Sequence, residues 1–206
     1  MKVSKILLTA LILAVAAVVM AVAKGHVAPP TKKVTHDLNH LKGDPKSKVE
    51  IIEYTDFQCP ACAKASGVVD EELKKYGNKV HFEMKYFPLP MHKNARRAAA
   101  FAECASEQGK FWPMHDVLFK TQTSWGTLGS PDEYLTGLAA SLGMDGKRLE
   151  FCLKNPLTEG HILRNMEEGK DIGISATPSF VVNGKMAVGG ENFRKLLTEV
   201  VEGHVH

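Results

Sequence analysis

Cys59-Pro60-Ala61-Cys62 falls where an apolar, β-branched run, Val49 to Thr55 (VEIIEYT), gives way to a helical stretch, Pro60 to Tyr76, that ends before Gly77. A strand feeding directly into a helix is thus the first unit of the fold. Cysteines three apart in the first helical turn project to one side, close enough to bridge with small adjustment. Pro60 suits the first helical position, where its missing N–H would have had no intrahelical partner. Cys59 then sits at the positive end of the helix dipole, facing unpaired backbone N–H groups. A thiolate is stabilised there and its pKa falls, which makes the Cys59–Cys62 disulfide easily reduced by another thiol. Cys62, one turn deeper, is expected to be shielded and to act as the resolving thiol.

Two other readings apply to such a pair. Half of a zinc site would need a second Cys or His pair at ligand spacing, and Cys104 and Cys152 stand apart from each other. A purely structural bridge over so short a loop would constrain the unfolded chain little. Thiol redox chemistry is therefore the expected use.

The rest of the chain frames that unit. Lys79 to Phe87 alternates as a second strand, stopped by Pro88 and Pro90. Helical spacing follows over Ala98 to Glu107, Phe111 to Thr121, Asp132 to Leu142, Lys147 to Leu153 and Leu157 to Asp171. Ser179 to Val182 and Lys185 to Val188 flank Asn183-Gly184, the dipeptide suited to a tight hairpin turn, and a last helix runs from about Glu191 to Val201. The order βαβ, helices, ββα predicts an α/β chain with 48–91 and 172–206 as one sheet-bearing unit and 92–171 as a helical insertion. Residues 24–47, with Pro29-Pro30 and Gly43-Asp44-Pro45, read as an extended lead-in.

Lys2 and Lys5 precede Ile6 to Ala23, an apolar stretch broken only by Thr9 and closed by Ala21-Val22-Ala23. This order predicts a secretory signal over residues 1–23 with an Ala-x-Ala cleavage site; an uncleaved membrane anchor is the alternative. Either way the body is expected outside the cytoplasm, where disulfides persist. Of 26 Lys plus Arg, two lie in this segment, and the remaining 24 nearly balance 23 Asp plus Glu. A body so close to neutral, with no basic run, argues against a nucleic-acid partner.

Three stretches resemble the DsbA family of exported thiol:disulfide oxidoreductases: Val49 to Cys62 (VEIIEYTDFQCPAC), Gly109 to Phe119 (GKFWPMHDVLF) and Gly173 to Gly184 (GISATPSFVVNG). The likeness spans most of residues 45–203 and implies a thioredoxin fold with an inserted helical subdomain. It implies a redox disulfide between Cys59 and Cys62, and a cis bond before Pro178, beside which Thr177, Pro60 and Ala61 would bind substrate. Composition alone would have left that proline trans at a strand start. The family's buried acid beneath the site falls on Glu53, which alternation places on the face of Val49 and Ile51; a solvated Glu is the other reading of the residue itself. Ala61 stands where oxidising members often carry a histidine, so a less oxidising pair is expected.

The resemblance further implies reduced or misoxidised exported proteins as substrates. It also implies a membrane redox partner, a quinone-linked oxidase or a reductase, and no metal or organic cofactor. A disulfide isomerase or reductase of the same fold, and a non-catalytic peptide-binding chaperone, are the competing functions. The short stretch between the cleavage site and the first strand leaves no room for a dimerisation domain, so a monomer is expected. Cys104 and Cys152 lie on apolar helical faces, either as a second disulfide or as two buried thiols. The nine histidines, including His36, His40, His204 and His206, read as solvated surface, and Phe111, Trp112, Phe119 and Trp125 as packing of the helical block.

Overall fold

The computed structural model describes residues 40–203; the signal or anchor over 1–23, most of the lead-in, and His36, His204 and His206 lie outside the described residues. Five strands form one mixed sheet: β1 (Leu41–Gly43), β2 (Val49–Thr55), β3 (Val80–Tyr86), β4 (Ser179–Val182) and β5 (Lys185–Val188). Their order across the sheet is β1-β3-β2-β4-β5. Only β2 and β3 run parallel, from Val49 opposite Val80 to Thr55 opposite Tyr86. The parallel pair requires a crossover, supplied by α1 (Pro60–Tyr76).

β2 is central and covered on both faces, which is why its residues are almost uniformly buried instead of alternating with exposed ones. One face carries Val49 and Ile51 into the main core, against α1 and the last helix, α8 (Gly190–Glu202). The other carries Ile52 and Tyr54 into a smaller core with Phe87 and Ile174.

Between β3 and β4 lie α2 (Ala95–Ser106), α3 (Phe111–Lys120), α4 (Gln122–Trp125), α5 (Asp132–Ser141), α6 (Gly146–Lys154) and α7 (Pro156–Asp171). α7 closes the second face of the sheet at very short range. A Cβ on Gly169 would stand 2.9 Å from the Phe87 ring and 3.0 Å from that of Tyr54. Beside it, buried Lys85 pairs with Glu168 of α7 and Glu83 of β3. Cys104 of α2 and Cys152 of α6 are joined by a disulfide. The β4–β5 hairpin turns through Asn183 and Gly184, at φ 46° and 80°, the left-handed backbone that an Asn-Gly pair tolerates.

Two sequence expectations are corrected. The lead-in contains β1, which pairs antiparallel with β3; three residues carry too little periodicity to announce a strand. Nor are all the histidines solvated. His40 is fully buried, stacked on Phe111 with ring centroids 3.8 Å apart and lying 3.5 Å from Glu103 Oε2. Glu103 also bonds His161 Nδ1 and the Tyr86 hydroxyl, so one carboxylate ties the approach to β1 into the helical block. His115 is buried too, packed edge-on against Phe57 and Phe119.

Candidate active site

Cys59 caps α1 in extended conformation (φ −77°, ψ 120°), with Pro60 in the first turn. Its carbonyl accepts the N–H groups of Cys62 and Ala63, which starts the helix. Both cysteines are free thiols, and Cys62 is completely buried whereas Pro60 and Ala61 are exposed. The loop leading into β4 brings Thr177 and Pro178 alongside, joined by a cis peptide bond. Cys59 Sγ lies 3.5 Å from the Thr177 carbonyl oxygen, to which the thiol form donates. The structure thus brings together Cys59, Cys62, Thr177 and Pro178; Cys104 and Cys152 belong to the helical block.

The two thiols have opposite acidities. Cys59 is pulled down to about 5. The largest cause is the Cys62 thiol donating to its sulfur; burial opposes this, and the N–H of Cys62, the Thr177 side chain and the N–H of Ala61 add to it. The start of the helix therefore contributes, but the neighbouring thiol contributes most. Cys62 is pushed far above the usual thiol range, chiefly by burial and then by giving its hydrogen bond to Cys59. One sulfur is thus a thiolate at neutral pH and the other a protonated donor.

Glu53 sits on the inner face of β2, 2% exposed, and burial raises its carboxyl to about 7. The Thr55 side chain and the Lys42 charge oppose that rise, and the Asp70 charge adds to it. A carboxyl with that acidity exchanges protons readily at neutral pH.

Residue types with no redox signature hold the Cys59 turn. Gln122 of α4 donates through Nε2 to the carbonyls of Cys59 (3.0 Å) and Phe57 (2.8 Å). The Asp56 carboxylate accepts from Gln58 N–H (2.7 Å) and Leu89 N–H (2.8 Å), and its Oδ2 lies 2.7 Å from His92 Nδ1. Gln58 Oε1 accepts from Asn94 N–H, and its Nε2 donates to the Gly126 carbonyl. α4 spans four residues, too few to read as a helix, so Gln122 left no mark in the sequence. Asp56 was marked only by its place three residues before Cys59.

Among the described residues there is no group of three or more His, Cys, Asp or Glu side chains able to hold a metal ion. None of their helices is long and apolar enough to cross a membrane.

Comparison with known proteins agrees with this architecture. Residues 35–199 match the Thioredoxin family. A Na(+)/H(+) antiporter NhaA from Herminiimonas arsenicoxydans is 31% identical over 169 residues, which are 82% of this chain and 26% of that protein. The chain thus spans about a quarter of the length of the curated relatives it matches. Among solved structures, a thioredoxin-like oxidoreductase from Silicibacter pomeroyi DSS-3 is 26% identical with a TM-score of 0.68, covering 82% of this chain and 95% of that one. The α-DsbA1 of Wolbachia pipientis shares the fold at a TM-score of 0.70 and 21% identity, covering 81% of this chain and 92% of that one.

Proposed function

The chain belongs to the Thioredoxin family, with the five-stranded sheet and helical insertion of DsbA-like proteins, and from that premise we propose that it is an exported thiol:disulfide oxidoreductase that introduces disulfides into folding proteins. The observation that carries this reading is the split acidity of Cys59 and Cys62 across one helical turn.

In the oxidised enzyme a substrate thiolate attacks Cys59 Sγ. The Cys59–Cys62 bond breaks, Cys62 leaves with the electron pair and takes up a proton, and a mixed disulfide joins substrate to Cys59. A second substrate thiolate then attacks the substrate sulfur and Cys59 leaves as its stable thiolate. The substrate gains a disulfide, and two electrons remain on the enzyme's dithiol. A low leaving-group pKa speeds that last step. Cys62 is too buried for a bulky substrate to reach, so exchange is directed to Cys59. Pro60 and Ala61 on one side and the backbone around cis-Pro178 on the other offer an extended peptide a docking edge.

Ala61 adds no charge or hydrogen-bonding side chain to the Cys59 thiolate, which supports a less oxidising pair than one with histidine there. Reduced exported proteins are the proposed substrates, and a membrane-bound, quinone-linked protein is the proposed acceptor of the electrons.

The test is oxidation of a reduced dithiol peptide and reduction of insulin by wild type and Cys59→Ala. The reading requires both activities in the wild type and neither in the variant. Undiminished exchange by Cys59→Ala overturns it.

A further inference from the structure

We propose that His92, acting through Asp56, is a positioning residue that fixes the turn carrying the Cys59 sulfur. The inference rests on the oxidoreductase reading and adds a residue to its site. The Asp56 side chain is 0% exposed, and a buried carboxylate is tolerated only where hydrogen bonds replace its water. Three donors do so: the Gln58 N–H on Oδ1 at 2.7 Å, and on Oδ2 the Leu89 N–H at 2.8 Å and His92 Nδ1 at 2.7 Å. A carboxylate accepts and does not donate, so Nδ1 of His92 carries the hydrogen.

Asp56 also builds the turn with its main chain. Its carbonyl accepts the Cys59 N–H at 3.0 Å, so one residue holds the turn at Gln58 through its side chain and at Cys59 through its backbone. His92 is itself anchored. The Phe87 N–H bonds the Thr55 carbonyl at 2.7 Å, one step beyond the paired strands, which lays the loop after β3 beside the turn after β2. The His92 N–H then closes on the Leu89 carbonyl, and its own carbonyl accepts the Ala95 N–H at the start of α2. Two residues on, the Asn94 N–H donates to Gln58 Oε1 at 2.7 Å. The loop thus grips the turn at Asp56 and again at Gln58, and of the donors Leu89, His92 and Asn94 only His92 uses its side chain.

The reactive sulfur depends on this grip because its supports act at short range. Cys59 Sγ meets the Thr177 carbonyl at 3.5 Å, and its thiolate is held by the Cys62 thiol and by the N–H groups of Cys62 and Ala61. Without the His92 donor, Oδ2 keeps one partner in place of two, and the buried carboxylate draws on the N–H groups of the turn for compensation. A shift of Cys59 by some tenths of an ångström weakens the bonds to its sulfur. The thiolate then loses support, and Cys59 moves up toward the ordinary thiol range.

The test is the pH dependence of Cys59 alkylation in the wild type, His92→Leu and His92→Asn. His92→Leu fills the space without a donor. It is expected to raise the midpoint by about one pH unit, so that alkylation is about 5-fold slower at pH 5 and unchanged above pH 8. His92→Asn sets an amide N–H near the place of Nδ1 and is expected to restore the wild-type profile. A purely structural histidine would lower the denaturant midpoint of His92→Leu and leave its alkylation profile in place; that result overturns the proposal, as does an equal displacement in His92→Asn. On the unsubstituted protein, nitrogen resonances should place the hydrogen of the neutral His92 ring on Nδ1 and should differ between the dithiol and disulfide forms. A neutral ring protonated at Nε2, or resonances identical in both forms, contradicts the proposal whether or not the variants fold. Undiminished exchange by Cys59→Ala overturns the oxidoreductase reading instead, whatever the alkylation profiles of the His92 variants.

Discussion

Cys59 Sγ meets the Thr177 carbonyl oxygen at 3.5 Å although 118 positions separate the two residues along the chain. The contact joins the start of α1 to the entry of β4, so the reactive sulfur faces the backbone segment that carries the cis bond before Pro178. On the proposed function, an incoming peptide that pairs with this segment is expected to have its own sulfur delivered to Cys59 and away from Cys62.

The Cys62 thiol is the largest support of the Cys59 thiolate. Cys62→Ala removes the donor and is expected to raise the Cys59 pKa by roughly one to two units, while Cys62→Ser keeps a donor and should move it less. The dependence of the alkylation rate on pH measures both. A Cys59 pKa unchanged from wild type in Cys62→Ala would contradict the Cys62 thiol as its main support.

Glu53 links folding stability to pH. Its carboxyl is protonated in the folded chain up to about pH 7, but in the unfolded chain only up to the ordinary 4.5. The stability it contributes is therefore full below 4.5 and is lost as pH rises through 7. Glu53→Gln stays neutral and should be the more stable protein above pH 8, by about 1–3 kcal/mol, with the difference vanishing near pH 4. Denaturant unfolding at the two pH values checks this.

Gln122 fixes the active-site turn from the helical insertion. Gln122→Leu leaves the Cys59 and Phe57 carbonyls without that donor and is expected to cost about 1–3 kcal/mol in denaturant unfolding. Retained stability would mean that the turn does not depend on the insertion.

The Cys104–Cys152 bridge closes a separation of 48 residues within the insertion. Replacing both cysteines by Ala should lower stability by about 4 kcal/mol in the chain-entropy account while leaving Cys59 alkylation unchanged. Calorimetry and alkylation kinetics test the two halves of that statement.

How far the chain could be read depended on whether each feature was local. β2 and α1 are legible because a β-branched run, an N1 proline and a terminal glycine mark them within a single stretch. Cys59 and Cys62 are legible by spacing. Pro178 could be singled out only by family likeness, because a cis bond leaves no compositional trace. β1 and α4 are too short to show a period, and they owe their shape to partners elsewhere: β3 for β1, and the Cys59 turn for Gln122. His40 reads from the sequence as solvated surface because its burial depends on Glu103, Tyr86 and Phe111, all distant along the chain.

The most direct test of the account is titration of the reduced protein by thiolate absorbance in the ultraviolet. A single thiolate should appear with a midpoint near pH 5 and disappear in Cys59→Ala, with no second thiolate from Cys62 in the accessible range. A midpoint near 9, the ordinary value for a cysteine, would contradict it.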